Sequence, residues 1–343
     1  MSTLYFPAEW ERQRMMQLTW PHAGTDWAYC LDEITDTFTA LAEAITRYEP
    51  LLIVTPDADA TCQTLSHRLT TEALQRVTCC ECSTNDTWAR DHGALTLLSA
   101  DGDRSAMRLL DFRFNGWGEK FPAALDNAIN GHLAAAGLLG APLESHDDFV
   151  LEGGSVESDG KGTVLTTSQC LLAPHRNQPL TRDGIEAELK RRLHASHVIW
   201  LDHGHLTGDD TDGHIDTIVR FAPDDTLLYV TCTDPDDEQF ADFQALEEQL
   251  HGLRPPSGGK YRLLPLPMPA PLYEDGQRLP ATYANFVVMN GAVIVPSYTQ
   301  PTLDQEAADT IGKAFPGRDI ISLDARQVVR QHGSLHCLTM QFF

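Results

Sequence analysis

Positive charge is what this chain most lacks. Its 343 residues carry 25 Lys and Arg against 49 Asp and Glu, a formal net charge of −24. That balance argues against nucleic acid as a partner, because phosphate recognition needs a basic surface, and against a polybasic membrane anchor. It accords with a small cationic substrate. Long apolar runs are also missing: the longest, such as 292–295, are strand-sized, so no membrane span is expected. Residues 1–7 have neither a basic n-region nor an apolar h-region, and no secretory signal is read there. No low-complexity linker divides the chain, which favours a single domain over 1–343. The eight cysteines, at 30, 62, 79, 80, 82, 170, 232 and 337, form no evident disulfide framework, and a chain of this length has core enough without staples. Reduced thiols and a cytoplasmic location are expected, with at least one thiol kept for chemistry.

What is present is an alternation of β-rich and helical stretches. Strand candidates lie at 51–55, 94–98, 108–111, 162–166, 198–201, 226–232, 285–289, 292–296 and 335–341. Helix candidates lie at 32–48, 59–76, 125–136, 181–193, 236–253 and 303–314, with Thr181 and Asp236 as helix starts. The alternation argues for an α/β or mixed α+β fold. A loose repeat runs through it: small or polar residues open strands at Gly93, Gly153, Gly213, Asn285 and Gly333, and three of these lead into hairpins. Such a set fits a radial array of similar modules whose strand starts face one axis.

Those strand starts carry the reactive groups: Asp91 beside Arg90, Glu152, His214 with Asp216, and Cys337. His214 and Asp216 are two apart, so on a strand both would point into one pocket. Glu152 precedes Gly153 and Gly154, where backbone can approach a carboxylate closely. Asp91 beside Arg90 reads, in isolation, as a plain ion pair. Trp88, three residues earlier, could wall a flat cation. Carboxylates match the planar fork of a guanidinium, and a bound cation favours a thiolate nearby. One thiol, one imidazole and several carboxylates therefore suit nucleophilic attack on a guanidinium carbon.

At these residues the sequence resembles the agmatine deiminase and bacterial peptidylarginine deiminase family of the pentein superfamily. The resemblance rests on segments at 7–11, 19–22, 85–93 (Asn-Asp-Thr-Trp-Ala-Arg-Asp-His-Gly), 114–120, 151–155, 210–216, 283–286 and 335–339 (Leu-His-Cys-Leu-Thr), in order along nearly the whole chain. It implies a five-bladed, pseudo-symmetric α/β-propeller. It implies that Cys337 attacks the guanidinium carbon, that His214 moves the protons, that Asp91 and Asp216 bind the guanidinium nitrogens and that Glu152 orients His214. Asp210 would contact substrate, Trp88 and Trp117 would line the channel, and Asn285 would shape the surroundings of the thiol. No metal or organic cofactor is implied, and a homodimer is the family-level expectation. Two features depart from the family: Gln331-His332-Gly333-Ser334 replaces a glycine run with an Asn, and the chain is short. Agmatine is favoured over free or peptidyl arginine because no clear pair of arginines awaits a carboxylate, Arg113 being the one candidate.

Other readings compete. Asp202, His203, His205, Asp209, Asp210, Asp212, His214 and Asp216 could together bind a divalent metal for a hydrolase, although no spacing there matches a strong zinc signature. A guanidine-binding protein without turnover is a second alternative. Trp10, Trp20 and Trp27 read as core packing, the acidic run 234–238 as a solvated helix start, and His203 and His205 as loop residues.

Overall fold

Apolar runs and amphipathic helices build one unit five times. The computed structural model describes residues 3–343. In each unit an inner strand turns back antiparallel into a middle strand, a helical segment crosses over, and an outer strand returns parallel to the middle one. The first blade has strands Leu95–Ser99, Arg108–Arg113 and Leu143–Val150, extended by Leu4–Tyr5. The second has Val156–Ser158, Thr163–Thr167 and His197–Leu201. The third has Val219–Ala222, Thr226–Thr231 and Arg262–Pro267, and the fourth Val287–Met289, Ala292–Ser297 and Asp319–Asp324. The fifth is closed by both ends of the chain. Thr339–Phe342 pairs antiparallel with Met15–Thr19, which is followed by parallel Leu51–Thr55 and Val77–Glu81. A separate hairpin joins Tyr273–Glu274 to Gln277–Arg278.

This is the expected five-bladed α/β-propeller, and its inner strands meet. Arg220, on the inner strand of the third blade, reaches Glu157 of the second, the carbonyl oxygens of Ala284 and Phe286 at the fourth, and Glu9 beside the fifth.

The crossover helices form where the apolar spacing called for them. Leu31–Thr46 buries Ile34, Phe38, Leu41 and Ile45, one face of a helical repeat. Arg182–Arg192 is capped by Thr181, whose Oγ1 accepts from Gly184 N. Two expectations need correction. Asp236 does not start a helix; the helix is Phe240–Gly252, because 234–239 is spent on turns and on the Asp237–Arg278 ion pair. The stretch 59–76 is two helices, Ala58–Ser66 and Thr71–Leu74, the second capped by Thr70. Trp20 and Trp27 are core residues as expected, while Trp10 packs against the core part-buried.

Two buried carboxyls predict how stability responds to pH. Glu49 is 1% exposed; its Oε2 accepts from Asn290 N at 3.0 Å, and its Oε1 has no partner. Burial pushes it up to about 7. Asp126 is 2% exposed, accepts from the backbone of Asn85 and Asp86, and is likewise pushed up to about 7 by burial. Each holds a proton more tightly folded than unfolded. The stability this confers is fully present below the unfolded value near 4 and is lost as pH rises through about 7. Between pH 8.0 and 5.5 each should add about 2 kcal/mol. The gain in Tm on acidification from pH 8.0 to 5.5 should therefore be smaller by about a few degrees in Glu49→Gln than in the wild type. Melts of both proteins at the two pH values check this; an equal gain in the two would contradict it.

Candidate active site

A short turn precedes each inner strand, and these turns hold the reactive side chains. Asp91 lies in the helical turn Ala89–His92. Glu152 immediately precedes the 3-10 turn Gly153–Ser155. His214 caps the 3-10 turn Ile215–Thr217, which contains Asp216. Asn285 lies just before Val287–Met289, and Cys337 in the turn just before Thr339–Phe342. The strand-start placement is thus corrected, and strand alternation is not what joins His214 to Asp216. Local polar groups compete with the ladder here: Asp209 accepts from Gly213 N, Thr211 Oγ1 from His214 N, and the His214 carbonyl from Thr217. Gly213, at φ +92°, supplies the left-handed corner.

All six of these side chains are buried, Cys337 the most open at 5% exposed. His214 Nδ1 lies 3.7 Å from Asp91 Oδ1. Gly154 N donates to that same oxygen at 3.1 Å, and Trp117 Nε1 donates to Asp91 Oδ2 at 3.0 Å. A Cβ at Gly154 would sit 2.6 Å from His214 Nδ1 and 2.9 Å from Asp91 Oδ1. The second glycine after Glu152 therefore keeps the centre of the site open, in line with the expected close backbone approach. Asn285 Oδ1 accepts from His336 N at 2.9 Å, from Cys337 N at 3.3 Å and from the Cys337 thiol at 3.4 Å. Arg90 is not the partner of Asp91. It pairs with Glu9 at 3.2 Å, which leaves Asp91 free of a resident guanidinium.

The electrostatics favour an incoming cation. Burial, then Asp216 and Asp91, hold the Cys337 thiol well above its ordinary value, which keeps it neutral. Burial pushes Asp91 up to about 6 against the pull of His214. Burial opposes a charged His214, but Asp91, Cys170 and Asp216 outweigh it and hold the imidazole well above the usual range. Asp216 stays below the usual carboxylate range despite burial, because His336 lies 2.7 Å from its Oδ2. Its other oxygen, Oδ1, has no partner.

Asp91 and Cys337 form the inner end of a cleft of about 400 Å³. Trp88 and Trp117 wall it, edge to face with centroids 6.4 Å apart. Asp26, Asp86 and Asp210 line the rest, with Phe121, Thr211 and the 331–333 segment, and no Lys or Arg is among the lining residues. Burial and then the neighbouring Asp26 push Asp86 up to about 7; burial and then Asp209 push Asp210 up to about 6. The departing segment is part of this wall. A Cβ on Gly333 would fall 2.1 Å from the Trp88 ring, and His332, at φ 64°, reaches the Gly208 carbonyl with Nδ1 at 2.7 Å. Arg113 is exposed and does not line the cleft.

The His/Asp stretch considered for metal does not converge. His203 pairs with Asp242, His205 contacts Gln169, and Asp212 pairs with Lys120 and Arg176. Glu152, Cys170 and His214 do bring three ligand atoms within 4.8 Å of one another. However, the Arg176 guanidinium already lies 2.8 Å from Glu152 Oε1, both side chains fully buried, so this carboxylate already has a fixed cation as its partner. Arg176 and Cys170 carry no signal in the sequence. Glu9 and His336 lie inside the segments 7–11 and 335–339, but nothing in those segments distinguishes them from their neighbours.

Comparison with known proteins agrees with this geometry. Residues 5–342 match the model of the Porphyromonas-type peptidyl-arginine deiminase family. The chain belongs to that family. Among its relatives, an agmatine deiminase of Stutzerimonas stutzeri is 32% identical over 98% of this chain and 95% of its own. The structure of a cysteine-to-serine variant of C. jejuni agmatine deiminase with substrate bound is 37% identical, covers 99% of this chain and 96% of its own, and superposes with a TM-score of 0.91. A Porphyromonas gingivalis structure provisionally named an arginine deiminase is 49% identical over 99% and 98% of the two chains, with a TM-score of 0.93. Chains of this family thus share the propeller described above over their full length.

Proposed function

We propose that the protein hydrolyses the guanidinium of agmatine to a ureido group, giving N-carbamoylputrescine and ammonia. The observation that carries this reading is the lining of the cleft. A thiol and a carboxylate close its inner end, three further carboxylates line it, and among the described residues no Lys or Arg lines it to receive a substrate carboxylate. A substrate with a cation at each end fits; one ending in a carboxylate has no partner there.

The chemistry follows from the groups present. Asp91 and Asp216 take the guanidinium nitrogens, and the trapped charge lowers the cost of ionising Cys337. As substrate binds, the thiol gives up its proton to water, and the thiolate adds to the guanidinium carbon. His214 donates a proton to the departing nitrogen, which leaves as ammonia, and a thiouronium remains on sulfur. Water then adds to the same carbon, His214 takes its proton, and the carbon–sulfur bond breaks to release the ureido product. Asp210, Trp88 and Trp117 guide the aliphatic arm, and Asn285 holds the thiol in place. Glu152 acts on His214 with Arg176 compensating its charge. The whole chain, 1–343, works as one catalytic unit: reactive residues run from Asp91 to Cys337, and the last strand pairs with Met15–Thr19. No helix among the described residues is long and apolar enough to cross a membrane. The eight free cysteines support a cytoplasmic setting.

The test is a panel of agmatine, free arginine and a C-terminal arginyl peptide, reading ammonia and ureido product. Agmatine should exceed both others in kcat/KM; preference for either arginine form would reassign the substrate. A pH series adds a second check. Asp91 and Asp210, pushed up to about 6 by burial, bind the cation as carboxylates, so protons compete with substrate in acid. Each should raise KM for agmatine roughly tenfold between pH 7.5 and pH 5.0. A KM flat across that interval would mean these carboxyls do not face the substrate.

A further inference from the structure

The residue beside the nucleophile points away from the cleft, into a buried network at the propeller centre. His336 is 1% exposed. Its Nδ1 lies 2.7 Å from Asp216 Oδ2 and its Nε2 lies 2.7 Å from Glu9 Oε1. Glu9 is fixed in turn by Arg90 at 3.2 Å and Gln341 Nε2 at 2.9 Å on Oε1, and by Arg220 on Oε2. Arg220 also lies 3.1 Å from His336 Nε2, binds Glu157, and stacks 4.5 Å from the centroid of the Phe286 ring. The backbone N of His336 donates to Asn285 Oδ1, the same oxygen that holds Cys337. Glu9, Asp216 and Arg220, all remote in sequence, thus meet at one imidazole.

We propose that His336 is a positioning residue for deimination: Nδ1–H pins one oxygen of Asp216 so that the other is presented bare to the guanidinium. The proposal rests on the deiminase reading above. Asp216 is the group that shows the effect, because Oδ2 is consumed by the imidazole while Oδ1, fully buried, has no protein partner. A carboxylate held at one oxygen cannot rotate to satisfy itself elsewhere, so Oδ1 stays buried and unpartnered until a donor arrives. Glu9 supplies the counterforce. Carboxylates at both ring nitrogens fix the ring plane from two sides. Burial, then Arg220 and Arg90, hold the imidazole below its ordinary value, and Arg220 faces Nε2 at 3.1 Å, so the ring proton is kept on Nδ1 against Asp216.

Two amide substitutions separate this role from mere support of the fold. The Asn side chain places its N–H near the position of Nδ1 and gives up Nε2; Gln does the reverse. His336→Asn should keep kcat/KM for agmatine within about tenfold of wild type, whereas His336→Gln should lose on the order of 100-fold, with Tm lowered by similar amounts in both. Equal activity losses in the two variants, or losses that merely follow Tm, would overturn the proposal while leaving the deiminase reading intact. Failure of the wild type to release ammonia from any guanidine would sink both. If neither variant folds, proton NMR of the wild type decides. A downfield, exchange-protected imidazole N–H resonance that vanishes in Asp216→Ala is expected, and its absence overturns the assignment.

Discussion

Replacing Cys337 with serine is expected to abolish turnover, by roughly 10⁴-fold or more in kcat, while agmatine still binds. The size of the effect follows from what the sulfur must do. On its own it is a neutral thiol, held up by burial and by Asp216 and Asp91. The bound guanidinium reverses the sign of the local field, because those same carboxylates now face a cation. A thiol, whose ordinary value lies near 9, can ionise under that change. A hydroxyl starts many orders of magnitude weaker as an acid and cannot follow it. Serine keeps the contact to Asn285 and leaves Asp91, Asp216 and the tryptophan walls untouched, so the binding determinants survive. Calorimetric binding of agmatine to Cys337→Ser, with ammonia release measured alongside, checks both halves. Turnover near the wild-type rate would remove Cys337 as nucleophile. Loss of binding together with turnover would show that sulfur holds the substrate as well as attacking it.

Much of this site can be read along the chain because its chemistry is carried by short segments with unusual composition. Two glycines after a carboxylate at 152–154 have one evident use, close backbone approach, and Gly154 serves it against His214 and Asp91. Middle strands such as Leu51–Thr55 and Ala292–Ser297 are buried along nearly their whole length and stand out as apolar runs. The outer strands do not. Val77–Glu81, Arg262–Pro267 and Asp319–Asp324 are half exposed, and the two prolines of Arg262–Pro267 suit its place at the edge of its sheet. The turns holding His214 and Asp216 look like strand in the sequence for a related reason: Thr211 and Asp209 bond locally to the backbone, and no hydrophobic period records that. Partners that arrive from far along the chain leave no trace at all. Nothing near residue 176 says that its guanidinium will meet Glu152, and nothing near residue 90 says that Arg90 will choose Glu9 over the adjacent Asp91.

Arg176 carries the second large expectation. Its Nε lies 2.8 Å from Glu152 Oε1, Nη1 donates to Asp212 Oδ2 and Nη2 to the Thr211 carbonyl, each at 2.8 Å. It therefore ties the turn at Glu152 to the 209–214 loop that delivers His214. Arg176→Met should cost roughly 3–5 kcal/mol, because it leaves the Glu152 carboxyl without its cation in a fully buried position. For a chain of this size that is on the order of 5–10 °C in Tm. The double variant Arg176→Met, Glu152→Gln removes the uncompensated charge and should recover a large part of that loss, since the penalty lies in the stranded carboxylate more than in the missing bond. Activity should not recover with it: the imidazole then lacks the carboxylate beside it, and the 209–214 loop still lacks its clamp. Thermal melts and ammonia release for the two singles and the double complete the cycle. Additive Tm changes would show that Glu152 and Arg176 do not share one charge balance, whereas recovery of stability without recovery of turnover would place Glu152 in the reaction and Arg176 behind it.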